Sequence, residues 1–224
     1  MRGQARDFIR HCHSPEERLA VVLIQREGAA KGKVEQKFYT ARQLASEKVL
    51  RYLRFRNVRG ADVYATANPL KPRVRRRRAG DIQEARWLYA DIDERGPETL
   101  RRIDADARRG RIPEPTAVMR TSAGRYQVLW RIEACDTRRA ENSLRALAAH
   151  YRTDPAATDC ARVLRIPGFR SRKRGEEVVL ERLVSAPPAR IEDFERALPA
   201  PPSAAAQARR AARGRERGGP GGKP

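Results

Sequence analysis

The longest uninterrupted apolar run among the 224 residues is Leu19 to Ile24, and that ceiling decides what the chain can build. A membrane-spanning helix needs about 20 apolar residues, so no span is expected, and no secretory apolar core follows Met1. A short apolar run between turn formers suits a strand with both faces covered, here Leu19 to Arg26. Strand-sized stretches recur at Val34 to Tyr39, Asp62 to Ala67, Ala85 to Ile92, Thr116 to Arg120, Tyr126 to Ile132 and Val178 to Val184. Two pairs read as hairpins, closed by the polar Gly28 to Lys33 turn and by Thr121-Ser122-Ala123-Gly124.

Segments of helical period alternate with these strands: Gln4 to His13, Ala41 to Arg56, Gly96 to about Arg109, Asp136 or Thr137 to about Tyr151, and Ile191 to Leu198. Thr40 is placed to cap the second. Pro97 sits in the first turn of the third, where a missing N–H costs nothing. Helices among hairpins, with no repeat of fixed period, predict an α+β fold around a mainly antiparallel or mixed sheet flanked by helices. Residues 1–198 are expected to form the folded domain, with 1–56 either an N-terminal subdomain or part of the same sheet. Residues 199–224 are too rich in Pro, Gly, Ala and Arg to bury a core and are expected to be a disordered basic tail.

The 49 Lys and Arg against 28 Asp and Glu leave a formal charge of +21. The tail carries +5 of it, so the remainder is basic in its own right. The commonest polyanionic partner for such a surface is nucleic acid. Two clusters dominate, Lys71 to Arg78 and Arg162 to Arg174, each with six cations. A solvated loop or an Arg-rich coding bias is the plainer explanation of either. Three cysteines, Cys12, Cys135 and Cys160, form no CxxC, which argues against a disulfide framework or a four-cysteine zinc site and for a cytoplasmic protein. They read as small apolar fillers.

The stretch Trp87-Leu88-Tyr89-Ala90-Asp91-Ile92-Asp93-Glu94 carries the most chemistry. Residues two apart on a strand share a face, so Asp91 and Asp93 project together from the end of an apolar run. Like charges that close repel unless a cation sits between them, and oxygen donors suit Mg²⁺ or Mn²⁺. The plain alternative is that Asp93 or Glu94 prepares the following helix and Asp91 lies in solvent at a strand end. A further acid, Asp159, precedes the second basic cluster, and acids for metal beside cations for phosphate are the parts of a phosphoryl-transfer site.

Four stretches, in this order and spacing, resemble the RepB-type plasmid primase domain, a branch of the archaeo-eukaryotic primase superfamily. They are Asn57 to Tyr64, the Asp91-Ile92-Asp93 strand, Arg120 to Trp130, and Asp159 to Lys173. The resemblance implies a primase-like, RRM-like catalytic core that makes short primers on a single-stranded DNA template from NTP or dNTP. It implies a two-metal site for Mg²⁺ or Mn²⁺ with Asp91, Asp93 and Asp159 as catalytic ligands. Where the wider superfamily presents a His to the incoming nucleotide, this chain has Gln127, as in the Tyr-Gln pair of the nearer branch. Ser122, Arg125, Gln127, Arg162, Arg165 and Lys173 are then the candidates for nucleotide or phosphate contacts. Lys71, Arg73, Arg75, Arg76, Arg77, Arg78, Arg170 and Arg172 are the candidates for the nucleic-acid strand. Arg125 and Gln127 share one strand face, while Tyr126 and Trp130 share the other and read as core. A replicative helicase or another replication or transfer protein is the implied partner, in plasmid or mobile-element replication, with no membrane involved.

Two other readings compete. A non-catalytic single-stranded nucleic-acid-binding module, or an accessory protein of replication initiation, would use the same basic loops without incorporating nucleotides. A nicking initiator would hold metal with His11 and His13 and attack with a Tyr. These two His lie at a helix end before Ser14-Pro15, where residues two apart do not share a face.

Overall fold

The computed structural model describes residues 3–199, so nearly all of the tail, and the expectation of disorder made for it, lies outside the described residues. In chain order the elements are α1 (Gln4–Cys12), β1 (Arg18–Gln25), β2 (Val34–Thr40), α2 (Ala41–Leu44), α3 (Glu47–Val58), β3 (Ala61–Thr66), β4 (Ala85–Ile92) and α4 (Gly96–Arg108). There follow β5 (Ala117–Ser122), β6 (Arg125–Cys135), α5 (Thr137–Tyr151), β7 (Val163–Arg165), β8 (Arg170–Ser171), β9 (Glu176–Glu177), β10 (Val179–Leu183) and α6 (Ile191–Ala197).

Two four-stranded sheets, ordered β2-β1-β3-β7 and β10-β5-β6-β4, are joined by a two-stranded β8-β9 ribbon, and every strand pair is antiparallel. The α+β architecture is the one expected, with two sheets where a single one was foreseen. β1 lies between β2 and β3, so strands from before and after residue 56 share one sheet. α3 packs on β3, α5 on β4 and α6 on β6.

The core lies between the sheets and under these helices. Trp87 on β4, Leu129 on β6 and Leu164 on β7 enclose one part of it, together with Leu19 and Phe8. Trp130 takes the other face of β6, meeting Phe194 of α6 edge-on at 6.0 Å between ring centres. Its indole N–H donates to the Pro113 carbonyl at 3.0 Å, so the buried polar atom is satisfied.

The helix expected over residues 41–56 is two helices. Thr40 and Gln43 form a reciprocal capping box that starts α2. Ser46 then caps α3, its Oγ accepting from Val49 N, so a second N-terminus begins where a continuous helix was foreseen. The segment 159–173, for which no strand was foreseen, holds the short strands β7 and β8. β7 joins the first sheet through β3, pairing Tyr64 with Arg165.

Candidate active site

The carboxylate pair sits where β4, an edge strand of the second sheet, runs out toward α4. Asp91 and Asp93 both line a cleft of about 530 Å³ whose walls come from both sheets. Ile24, Tyr64 and Arg165 represent the first sheet; Ser122, Arg125 and Gln127 represent the second.

Gln127 sets the geometry. It is the register partner of Asp91, and its Nε2 donates to Asp91 Oδ1 at 3.4 Å. Its Oε1 accepts from Arg165 N at 3.0 Å, so one buried amide ties the acid of β4 to β7 of the other sheet. Asn68 makes a second tie: its Oδ1 accepts from Arg86 N and Trp87 N, and its Nδ2 donates to the carbonyls of Trp87 and Cys160. Burial pushes the Asp91 carboxyl up to about 6, with the like charge of Asp93 adding to it and the Gln127 hydrogen bond and Arg162 opposing. Arg125 Nε stands 3.3 Å from Asp93 Oδ1 and makes no hydrogen bond, so this is a charge contact alone.

The opposite wall is held by Asp62 of β3, a fully buried carboxylate. Arg165 Nη1 donates to it at 3.0 Å, Arg26 Nε at 2.8 Å, and the Arg172 backbone N–H at 2.7 Å. Burial works to raise its pKa, but the hydrogen bonds and charges of Arg165 and Arg26 win and hold it below the usual carboxylate range. Arg165 also lies over the Tyr64 ring at 4.8 Å.

Of the residues foreseen, Asp91, Asp93, Asp159, Ser122, Arg125, Gln127, Arg162, Arg165 and Lys173 all line this one cleft, joined by Arg77 from the first basic cluster. Ser122 Oγ is buried with no hydrogen-bond partner. Arg165 is committed to Asp62, and Arg162 donates to Asp154 Oδ2 at 3.0 Å. Asp159 lines the same cleft as the pair, and among the described residues no three His, Cys, Asp or Glu side chains are grouped as a metal site. The remaining strand candidates lie elsewhere. Arg73 lines a separate cleft that also holds Glu16, Glu17 and Glu84, and Lys71 Nζ donates to the Gly80 carbonyl. Arg170 is exposed outside the cleft, and Arg172 Nη1 stands 3.8 Å from Glu27.

Sequence reasoning missed Asp154, Arg26, Tyr64 and Arg174, which also line the cleft. Asp154 N donates to the Asp91 carbonyl at 3.0 Å, and its charge helps to raise Asp91. A five-residue offset from Asp159 in a turn-forming segment gave no pattern that distinguished the two. His11 and His13 go to different partners, the Val184 carbonyl and Glu17, both at 3.0 Å. The three cysteines are free.

The donor set fits a hard divalent cation. Two carboxylates at one strand end, one of them buried and repelled by its neighbour, are stabilised by a positive charge, and Mg²⁺ is commonly held by one or two carboxylates with substrate phosphates completing the shell. Around the pair stand cations and an orphan hydroxyl, the complement of a polyphosphate.

The fold has solved relatives. It is similar to primase RepB' (TM-score 0.63, 21% identity, covering 95% of this chain and 66% of that one, so this chain spans just under two thirds of that protein). It is similar to the catalytic domain of primase RepB' in complex with initiator DNA (TM-score 0.60, 21% identity, 97% and 100%). The AEP domain of the cyanophage S-2L primase-polymerase is a third likeness (TM-score 0.68, 14% identity, 89% and 98%). No curated protein sequence shows a significant match. The sequence family described as the RepB DNA-primase N-terminal domain matches residues 28–195, most of the chain, and this protein belongs to that family.

Proposed function

We propose that the cleft joins nucleotides into short primers on a single-stranded DNA template. The observation that carries this reading is the meeting, in one cleft, of the Asp91 and Asp93 pair with Ser122, Arg125, Arg162 and Lys173. A surface that merely coats a nucleic acid has no use for a mutually repelling acid pair, one member of it largely desolvated.

In this reading Asp91 and Asp93 hold divalent cations, Mg²⁺ or Mn²⁺. The third carboxylate comes from the 154–159 turn, as Asp159 by family resemblance or as Asp154, whose backbone already meets Asp91. Bound there, the cations supply charge neutralisation for an attacking 3′ oxygen and a departing pyrophosphate. The chain's own residues do the rest. Gln127 fixes the orientation of Asp91. Ser122 offers its unused hydroxyl, and Lys173 and Arg174 offer charge, to the triphosphate. Arg162 and Arg165, held by Asp154 and Asp62, are pre-set rather than free, which lowers the entropy lost on binding. The Lys71 to Arg78 loop reaches the cleft through Arg77 and leads the template in by its phosphates, with affinity that falls as salt rises. RepB' binds initiator DNA through its own catalytic domain, and a DNA strand is the partner proposed for this one.

Calorimetric titration with Mn²⁺ separates an enzyme from a binding module. The wild type is expected to bind the metal and Asp91→Asn to lose that binding, with single-stranded DNA affinity of the variant little changed. Metal-independent DNA binding by a wild type that takes up no Mn²⁺ favours the non-catalytic module.

A further inference from the structure

Among the described residues three large apolar side chains are exposed, Val34, Phe55 and Val58, and the last two, 55% and 72% exposed, lie on the outer face of α3. They lie opposite Leu50, Leu53 and Asn57, which that helix buries. Lys48, Arg51 and Arg59 are exposed on the same outer side, and the Arg59 guanidinium lies 5.3 Å from the Phe55 ring centre. The acid of this helix, Glu47, is taken by Arg6 and Arg54 at 2.5 and 3.1 Å. Among the described residues no ion pair engages Lys48, Arg51 or Arg59, so the outer face is an aromatic ring amid positive charge.

The C-terminal end of α3 is tied, through its buried side, to the ribbon that borders the cleft. Asn57 Nδ2 donates to the Arg170 carbonyl at 2.8 Å, and Asn57 Oδ1 accepts from Arg170 N at 2.9 Å, pinning the end of α3 to β8. The turn after β8 carries Lys173 and Arg174 into the cleft wall. Each element along this connection carries exposed cations, Lys173 and Arg174 at the cleft, Arg170 on β8, and Arg59 and Arg51 on α3, while Glu177 of β9 pairs in register with Arg170. An aromatic ring set among cations along such a connection is how single strands are held without regard to sequence: the ring stacks a base and the cations neutralise phosphates.

We propose that single-stranded DNA extending from the cleft crosses the β8–β9 ribbon and binds the outer face of α3, with Phe55 stacking on a base. The inference rests on the reading of the cleft as a site of primer synthesis. Fluorescence anisotropy with full-length protein and oligothymidylates tests it, from strands of about 6 nucleotides, enough for the cleft, to about 25, enough for both surfaces. Phe55→Ala is expected to weaken the long strand about tenfold and leave the short one unchanged, while Phe55→Trp restores long-strand affinity. Arg51→Ala with Arg59→Ala should lower the salt slope for the long strand by about 1.4. Equal affinity of wild type and Phe55→Ala at every length overturns the α3 path while leaving the cleft reading intact. A wild type that binds no strand of any length overturns the cleft reading. A wild-type dimer in sedimentation that Phe55→Ala dissolves assigns the face to a second copy instead of DNA and also overturns the proposal.

Discussion

At the scale of single residues, two carboxylates of the site, Asp62 and Asp91, are desolvated with opposite outcomes. Asp62 is held below the usual range by Arg165 and Arg26 against the cost of its burial, so it adds stability at neutral pH that is lost as pH falls through its folded pKa. Removing it strands Arg165 in the interior, and Asp62→Ala is expected to cost about 3–5 kcal/mol in urea unfolding at pH 7. Asp91 has the reverse sign. Raised from 3.8 to about 6, it binds a proton more tightly folded than unfolded, so in chelator its contribution to stability falls as pH climbs through that interval. Asp91→Asn should therefore match wild type near pH 4, gain on it up to pH 6, and hold a constant lead above, at most about 3 kcal/mol; a lead that shrinks with pH contradicts this. Gln127→Leu leaves Arg165 N unsatisfied and frees Asp91, for an expected loss of about 1–3 kcal/mol. The shared face of Asp91 with Asp93, and of Arg125 with Gln127, was legible because a strand alternates with period two. Asp62 was not, because its partner Arg165 is 103 positions away and no local pattern announces a pairing at that distance.

Elements fix how close the two halves of the site come. A Cβ on Gly96, at the start of α4, would lie 1.9 Å from the Gly124 carbonyl oxygen in the β5–β6 turn, and backbone cannot yield as a flexible side chain does. Gly124 itself takes φ 68, the left-handed conformation that the turn needs. Gly96→Ala is expected to cost about 1–3 kcal/mol and to displace the turn that carries Ser122, whereas Gly80→Ala, with open space around it, should fall within about 0.5 kcal/mol of wild type. Differential scanning calorimetry of both variants makes the comparison. The hairpin around Gly124 and the long helices were readable from turn chemistry and period. The break at Ser46 and the strand β7 were not: a Ser inside a helical pattern does not show whether it caps a new helix, and the three residues Val163–Arg165 are too few to show alternation.

For the whole molecule, the charge of +21 now has a distribution. Many of the 49 Lys and Arg behind it are engaged within the fold, as where Arg139 meets Glu192 and Glu195 or Arg182 meets Asp104. Near the cleft, Arg77, Lys173 and Arg174 stand without a carboxylate partner among the described residues, and the first basic cluster delivers only Arg77 into the cleft wall. The composition pointed to a polyanion, but it could not show which cations are spent within the fold, because ion pairs join residues far apart in sequence. Deleting residues 199–224 is expected to weaken DNA binding modestly and to leave nucleotide incorporation in place. The most direct measurement is primer synthesis by the purified chain on single-stranded DNA with nucleotides and Mg²⁺ or Mn²⁺, run in parallel with Asp91→Ala and Asp93→Ala. Short primers from the wild type and none from either variant are the expected result; primers made equally by variants that have lost the acid pair would contradict the assignment of the cleft.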